Sequence, residues 1–223
     1  MQAGGHRAHR LLSKLRGQPG AAHHPPQVSP RQATQSPQLR QPLRIITGKF
    51  KGRKLFAVEG LTTRPTTAYN RALIFNVHNH FEGARVLDLF AGTGSYGLEA
   101  LSRGASWVDF VEFSSAAISV LLKNINLVGV QDGCHVWRKR AETFLKKAEP
   151  AWDIIFLDPP YDKNLVNPCL ELIFERGLLA PGGVAIAEHS SREGIAESLA
   201  PKILKHKAGK TGSFTLLGSA PGD

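Results

Sequence analysis

Two apolar runs, each carrying a carboxylate at its end, constrain this chain more than any other feature. Residues 86–97 read V-L-D-L-F-A-G-T-G-S-Y-G and residues 154–161 read I-I-F-L-D-P-P-Y. The first is a β-run that turns through glycines into a helix. The second is a β-run halted by two prolines, which cannot donate to a strand ladder. From residue 85 onward such runs alternate with helical periodicity, which predicts a parallel sheet with helices on both faces. Strands are expected over Val86–Phe90, Trp107–Glu112, Cys134–Trp137, Ile154–Leu157 and Val184–Ala187. Helices are expected near Tyr96–Ser102, Ala116–Leu127, Ala141–Ala148, Leu165–Arg176 and Glu193–Leu199. Ile203–His206 and Phe214–Leu217 read as an antiparallel pair.

Upstream of this alternation, Leu43–Ile46, the turn Thr47–Gly52 and Arg53–Phe56 predict a short basic β-hairpin. Thr62–Thr67 reads as a loop in which Pro65 presets φ for a helix. Leu73, Ile74, Val77 and Phe81 then recur at helical spacing, with Gly83 closing that helix and His78 and His80 on its polar face. The chain therefore divides into a tail at 1–43, a basic extension at 44–82, a main domain at 83–218 and a short tail at 219–223.

The net charge of +10 is carried at one end. Residues 1–58 hold 11 Lys and Arg and no acid, while 59–223 hold 17 basic against 18 acidic residues. A localised cationic region suits a polyanion, because neutralised phosphates release counterions. The candidate contacts are Arg44, Lys49, Lys51, Arg53, Lys54, Arg64 and Arg71. Residues 1–43 lack acids and sustained periodicity, so they are expected to be disordered, either as a bare tail or as an organellar transit peptide. A plastid (chloroplast) address is the expectation, with a mitochondrion or a bacterial-type cytoplasm as alternatives. No stretch reaches the roughly 18–20 apolar residues of a membrane span. Cys134 and Cys169 have no C-x-x-C spacing and read as two ordinary thiols, with no metal site expected.

Gly92, Gly94 and Gly97 form G-x-G-x-x-G between a strand and a helix, where a ligand can approach the backbone and free helix N–H groups. A dinucleotide enzyme would share that pattern. Asp88, just upstream, would repel a pyrophosphate but suits an ammonium, which points to the amino-acid-type cofactor S-adenosyl-L-methionine. Glu112 ends the next strand, where a carboxylate can accept both ribose hydroxyls. At the second run, Asp158 and the Pro159 carbonyl offer acceptors that can aim the lone pair of an exocyclic base amine. Pro160 stiffens the turn, and Tyr161 offers a stacking face for an extruded base.

R-I-I-T-G-K-F-K-G-R-K-L (44–55), T-R-P-T-T (63–67), F-N (75–76), L-D-L-F-A-G-T-G-S-Y-G-L-E-A-L-S-R-G-A (87–105) and D-P-P-Y (158–161) occur together and in order. In these segments the chain resembles the RsmD family, methyltransferases that modify a guanine N2 in small-subunit ribosomal RNA. The resemblance covers roughly residues 44–218 and implies an α/β, Rossmann-like class I methyltransferase fold: a seven-stranded, mostly parallel sheet with an antiparallel C-terminal pair. It implies a monomer acting on ribosomal RNA or an assembling small subunit, with no membrane partner. By resemblance, Asp88, Phe90, Gly92, Thr93, Gly94, Glu112, Phe113, Ala141 and Glu142 face the cofactor, and Asp158 to Tyr161 face the target amine. The chain departs from the family pattern at Ala68-Tyr69-Asn70-Arg71-Ala72, where the family has R-x-x-R-E, and at Arg140, where it has an Asp or Asn before the alanine. D-P-P-Y also serves adenine N6 and cytosine N4 amines, and a non-catalytic RNA-binding assembly factor is the remaining alternative.

Overall fold

A computed structural model describes residues 43–58, 65–149, 152–209 and 212–218, with backbone alone for 65–69. The expected tails, apart from Leu43, and Arg64 lie outside the described residues.

Twelve elements follow in chain order: α1 (Pro65–Val77), β1 (Arg85–Leu89), α2 (Ser95–Ser102), β2 (Trp107–Glu112), α3 (Ser115–Val128), β3 (Cys134–Arg138), α4 (Ala141–Leu145), β4 (Trp152–Leu157), α5 (Val166–Glu175), β5 (Leu179–His189), β6 (Ile203–Lys207) and β7 (Ser213–Gly218). They build one seven-stranded sheet in the order β3-β2-β1-β4-β5-β7-β6. β1 to β5 run parallel, and β7 lies antiparallel to both β5 and β6.

The central strands are apolar along their length because both faces are covered. Alternate residues feed two separate cores: Val86, Ile154 and Phe156 pack with α1, α2 and α3 on one side. Leu87, Leu89, Ile155 and Leu157 pack with α4 and α5 on the other. Ile45 and Leu55 of the basic segment, with Ile74 and Phe75 of α1, belong to the first core. α3 is delimited locally: the Ser114 hydroxyl accepts from Ala117 N at 3.4 Å, and Gly129 closes the helix at φ +77°.

Four expectations need correction. Residues 43–56 form no strands, only one antiparallel bridge between Arg44 and Lys54. Two cross-strand bonds flank that bridge, Ile45 N to Arg53 O at 3.1 Å and Leu55 N to Leu43 O at 2.8 Å. α2 takes the donors between them: Ile46 N and Thr47 N donate to the Glu99 carboxylate at 2.6 and 3.0 Å, and Phe50 N donates to Ser102 Oγ at 2.9 Å. The expected helix near Glu193–Leu199 is a 3₁₀ stretch at Glu197–Lys202 that contains Pro201, which cannot donate to an α-helical ladder. α1 ends at Val77 rather than Gly83, so His78 and His80 lie beyond it, with His78 edge-on to the Phe81 ring at 5.4 Å. α4 is also shorter than expected, stopping at Leu145.

Cys134 and Cys169 are unpaired, with burial pushing their thiols up to about 11 and about 12. Among the described residues no helix is long and apolar enough to cross a membrane, and no group of three His, Cys, Asp or Glu is placed to hold a metal.

Candidate active site

Strand register alone assembles the site. Leu89 is paired with Val111 and with Leu157, and Leu157 is paired with Ala187. The residues that come next, Glu112, Phe90, Asp158 and Glu188, therefore emerge side by side at the carboxyl edge, where open α/β sheets bind ligands.

Asp88, one turn of the pleat below this row, is 1% exposed, and its Oδ2 accepts from Gly97 N at 2.9 Å. It thus satisfies one of the orphan donors at the N-terminus of α2. Burial pushes its carboxyl up from 3.8 to about 7; the Gly97 N–H opposes this and the nearby Glu112 adds to it. A buried carboxylate poised so is stabilised by any cation brought against it.

The glycines divide their duties. A Cβ on Gly97 would stand 2.3 Å from the Phe110 ring, and one on Gly94 would stand 2.4 Å from Leu121 Cδ1 at φ +84°. Both are required so that α2 can seat on β2 and α3. Gly92 alone has open space, with nothing nearer than 3.9 Å, and it is the one that leaves the backbone approachable. Phe90 reaches the same turn with a left-handed φ of 62°, a conformation costing a non-glycine residue about 1–3 kcal/mol.

Glu112 is already engaged. Its Oε2 accepts from Gly92 N at 2.8 Å, and its Oε1 accepts from Phe113 N and Ser114 N at 2.8 and 2.7 Å. About four acceptor positions exist on a carboxylate. Three are filled, so room remains for about one ligand hydroxyl rather than the two expected.

Phe90, Gly92, Thr93, Arg71, Tyr96 and Asp158 line one cavity of about 200 Å³. Arg71 was expected to reach cofactor or RNA; it is 4% exposed, inside this wall, with Nη2 donating to Arg44 O at 2.7 Å. Its Nε is buried with no partner. An unused cationic donor beside buried carboxylates fits a zwitterionic, amino-acid-type ligand: Arg71 would take its carboxylate and Asp88 its ammonium. Of the residues expected at the cofactor, Asp88, Gly94 and Glu112 lie behind or beside this wall rather than in it, and Phe113, Ala141 and Glu142 are not in it either. Phe113 is 55% exposed under the Arg140 guanidinium, 4.2 Å from the ring centroid. Ala141 is buried in the second core, and Glu142 is half-buried in the first turn of α4.

At the D-P-P-Y turn, Pro159 is buried and Pro160 exposed. Tyr161 is half-buried and tethered rather than loose: its hydroxyl donates to Glu188 Oε1 at 2.6 Å. Glu188 also receives the Tyr96 hydroxyl on Oε2 at 2.6 Å and Asn70 Nδ2 on Oε1 at 3.0 Å. One carboxylate, 1% exposed, thus joins α1, α2 and the D-P-P-Y turn. Burial, with Asp158 and Glu188 nearby, raises the Tyr96 phenol well above its ordinary range, so it stays a donor. Asn124 is a second such joint: it bonds both backbone groups of Phe56 and donates to Thr93 O at 2.9 Å. Sequence reasoning missed Glu188, Tyr96 and Asn124. Glu188 did carry a signal, as the one acid in V-A-I-A-E-H.

Arg44, Lys49, Lys51, Arg53 and Lys54 are all exposed on the loop that Glu99 and Ser102 anchor. Arg44 donates to Gly52 O at 2.9 Å and Arg53 to Leu127 O at 3.3 Å. Lys49 Nζ lies 5.6 Å from the Phe50 ring centroid.

Residues 43–217 match the family model described as conserved hypothetical protein 95. The chain belongs to this family. Among its relatives, YlbH of Bacillus subtilis is 39% identical over 74% of this chain and 92% of its own. The ribosomal RNA small subunit methyltransferase D of Haemophilus influenzae is 31% identical over 82% of this chain and 96% of its own. The solved structure of the Escherichia coli methyltransferase-family protein yhhF superposes with a TM-score of 0.69 at 31% identity, covering 79% of this chain and 97% of that one. This family membership identifies the protein as a methyltransferase and its sheet as a class I methyltransferase sheet. The RsmD-type resemblance drawn from the motifs holds across the family's whole extent.

Proposed function

We propose that the protein transfers a methyl group from S-adenosylmethionine to the exocyclic N2 amine of a guanine in small-subunit ribosomal RNA. The observation that carries this reading is one cavity whose wall combines the Gly92 turn, the unpartnered Arg71 donor and Asp158. Relatives named as ribosomal RNA small subunit methyltransferase D support the substrate. When bound, S-adenosylmethionine supplies a sulfonium-activated methyl group; the rest is the work of the chain.

Arg71 and Asp88 bind the two charged ends of the cofactor's amino-acid part, and Glu112 takes a ribose hydroxyl. Asp158 and the Pro159 carbonyl accept hydrogen bonds from the target N–H groups. That pulls the nitrogen lone pair out of ring conjugation and holds it in line for attack. As the new N–C bond forms, the amine carries an extra proton. The Asp158 carboxylate, already hydrogen-bonded to it, is placed to receive that proton and pass it to water. Tyr161, held by Glu188, keeps the extruded base in plane.

Asp158→Ala should lower turnover by roughly two orders of magnitude, the scale of one lost positioned contact, with cofactor affinity within a few-fold of wild type. Mass spectrometry of nucleosides from treated ribosomal RNA should show N2-methylguanosine. Finding N6-methyladenosine or N4-methylcytidine in its place, or full activity in Asp158→Ala, would overturn the reading. We also infer that residues 1–43 act as an organellar address, a plastid one by their Ser, Pro and Gln content.

A further inference from the structure

A second and larger concavity, about 670 Å³, lies away from the row of carboxylates. It opens beside the five-residue α4, whose Phe144 lies on its wall. Arg85, Trp107 and Trp152, on its wall, are the first residues of β1, β2 and β4, so it starts at the edge of the sheet opposite Asp158. His135 and Trp137 then carry it along β3, the outer strand, to Lys139 just past its end.

All three tryptophans of the chain line this groove. Their placement is built. Asp109, 6% exposed, accepts the Trp137 indole N–H on Oδ1 at 2.8 Å and the Trp152 indole N–H on Oδ2 at 3.1 Å. Trp152 and Phe144 are buried and belong to the second core. Trp107 and Trp137 are only half-buried, and Trp137 rests on the second core with its ring 5.5 Å from that of Phe144. His135 packs against Trp137 with centroids 4.4 Å apart, and Lys139 Nζ lies 5.1 Å from the Trp137 ring. Arg85, Lys139 and Lys147 are exposed on the lip against a single exposed acid there, Glu149.

Fixed aromatic faces beside cations are what single-stranded nucleic acid uses: bases stack on the rings and phosphates meet the charges. We propose that this groove is a second RNA-binding site, which takes an unpaired stretch of the substrate RNA outside the catalytic cavity. The proposal rests on the reading of the protein as an RNA methyltransferase and adds to it a contact on the opposite rim. A basic peptide is disfavoured by the cationic lip, and an acidic peptide would leave the aromatic faces without a partner.

The chain itself carries the reporter, since tryptophan emission arises only in this groove. Titrating the full-length protein with oligoadenylate of about eight nucleotides should quench that emission saturably. Lys139→Glu with Lys147→Glu, both at exposed positions, should weaken RNA binding and quenching tenfold or more while leaving S-adenosylhomocysteine binding unchanged. Trp107→Leu should weaken RNA binding several-fold with the charges intact. Inorganic polyphosphate, which has charge but no bases, should compete poorly. Labelled RNA that binds with no change in emission, a double variant that binds as wild type does, or polyphosphate or polyglutamate that competes as well as RNA would each overturn the site. Methyl transfer to ribosomal RNA, assayed in parallel, separates the two readings: activity persisting with unchanged emission sinks the groove alone. No transfer by the wild-type protein sinks the functional reading and the groove with it.

Discussion

Asp88 sets a pH dependence that can be worked out from its position. An acid whose folded-state value is raised from 3.8 to about 7 by burial binds its proton more tightly folded than unfolded. The contribution to stability is then full below about pH 4 and is lost as pH rises toward 7. Asp88→Asn removes that penalty while keeping an oxygen for Gly97 N. The variant should be more stable than wild type at pH 8, by an amount on the order of a few kcal/mol at most, and the gap should narrow by pH 5 and close only below about pH 4. Cofactor affinity should fall in the same variant, since the ammonium loses its counter-charge. In the wild type, affinity should decline as pH drops below about 7. Calorimetry and thermal melts across this range check both signs; a variant no more stable at pH 8 would show the carboxyl to be unpenalised. Glu188 calls for a different test. Glu188→Gln puts an amide N–H₂ where three donors need acceptors, so the Tyr161 tether slackens. Turnover should drop roughly tenfold, within the range for a misplaced contact, with KM for the cofactor little changed. An equal loss in KM would mean a merely structural role.

Among the elements, the anchored basic loop is the one whose surface invites measurement. Arg44 and Arg53 spend donors on backbone carbonyls of the fold, whereas Lys51 and Lys54 stand exposed on the loop. Replacing those two lysines with Ala should reduce the salt slope of RNA binding by roughly 0.7–0.9 per lost phosphate contact and leave the melting temperature unchanged. Glu99→Ala should do the reverse in part: it frees Ile46 N and Thr47 N, lowers stability by about 1–3 kcal/mol and blurs the loop's position. A salt slope unmoved in the lysine variant would assign those cations to solvation. The contrast explains what the sequence could reveal. Asp88 and Asp158 were legible because an acid in a β-run of Val, Ile, Leu and Phe has no bland reason to be there. The basic segment does pair with itself, through Ile45 N to Arg53 O and Leu55 N to Leu43 O, but the pairing stops at a single bridge, and its anchoring by Glu99 and Ser102 some fifty residues downstream was not legible. The end of α1 was misplaced because Phe81 continues the apolar spacing although the chain has already left the helix; its burial is tertiary. Glu112 was singled out by its place at a strand end, but its three backbone bonds follow from the Gly92 and Ser114 turns, which no spacing rule encodes.

For the molecule as a whole, the first core already contains Ile45 and Leu55, so a protein beginning at Gln41 keeps every described contact of that core. Removing residues 1–40 should leave the melting temperature and methyl transfer unchanged, and residues 1–43 fused to a fluorescent reporter should carry it to an organelle. A cytosolic reporter together with lost activity on truncation would make the segment part of the RNA surface. The Glu188 carboxylate has one more consequence. Because it answers to α1, α2 and the D-P-P-Y turn at once, the proposed cofactor and RNA should not bind independently of each other. Whatever factor bound cofactor adds to RNA affinity, RNA must return to cofactor affinity. That reciprocity, measured by titrating each ligand in the presence of the other, should shrink toward unity in Glu188→Gln.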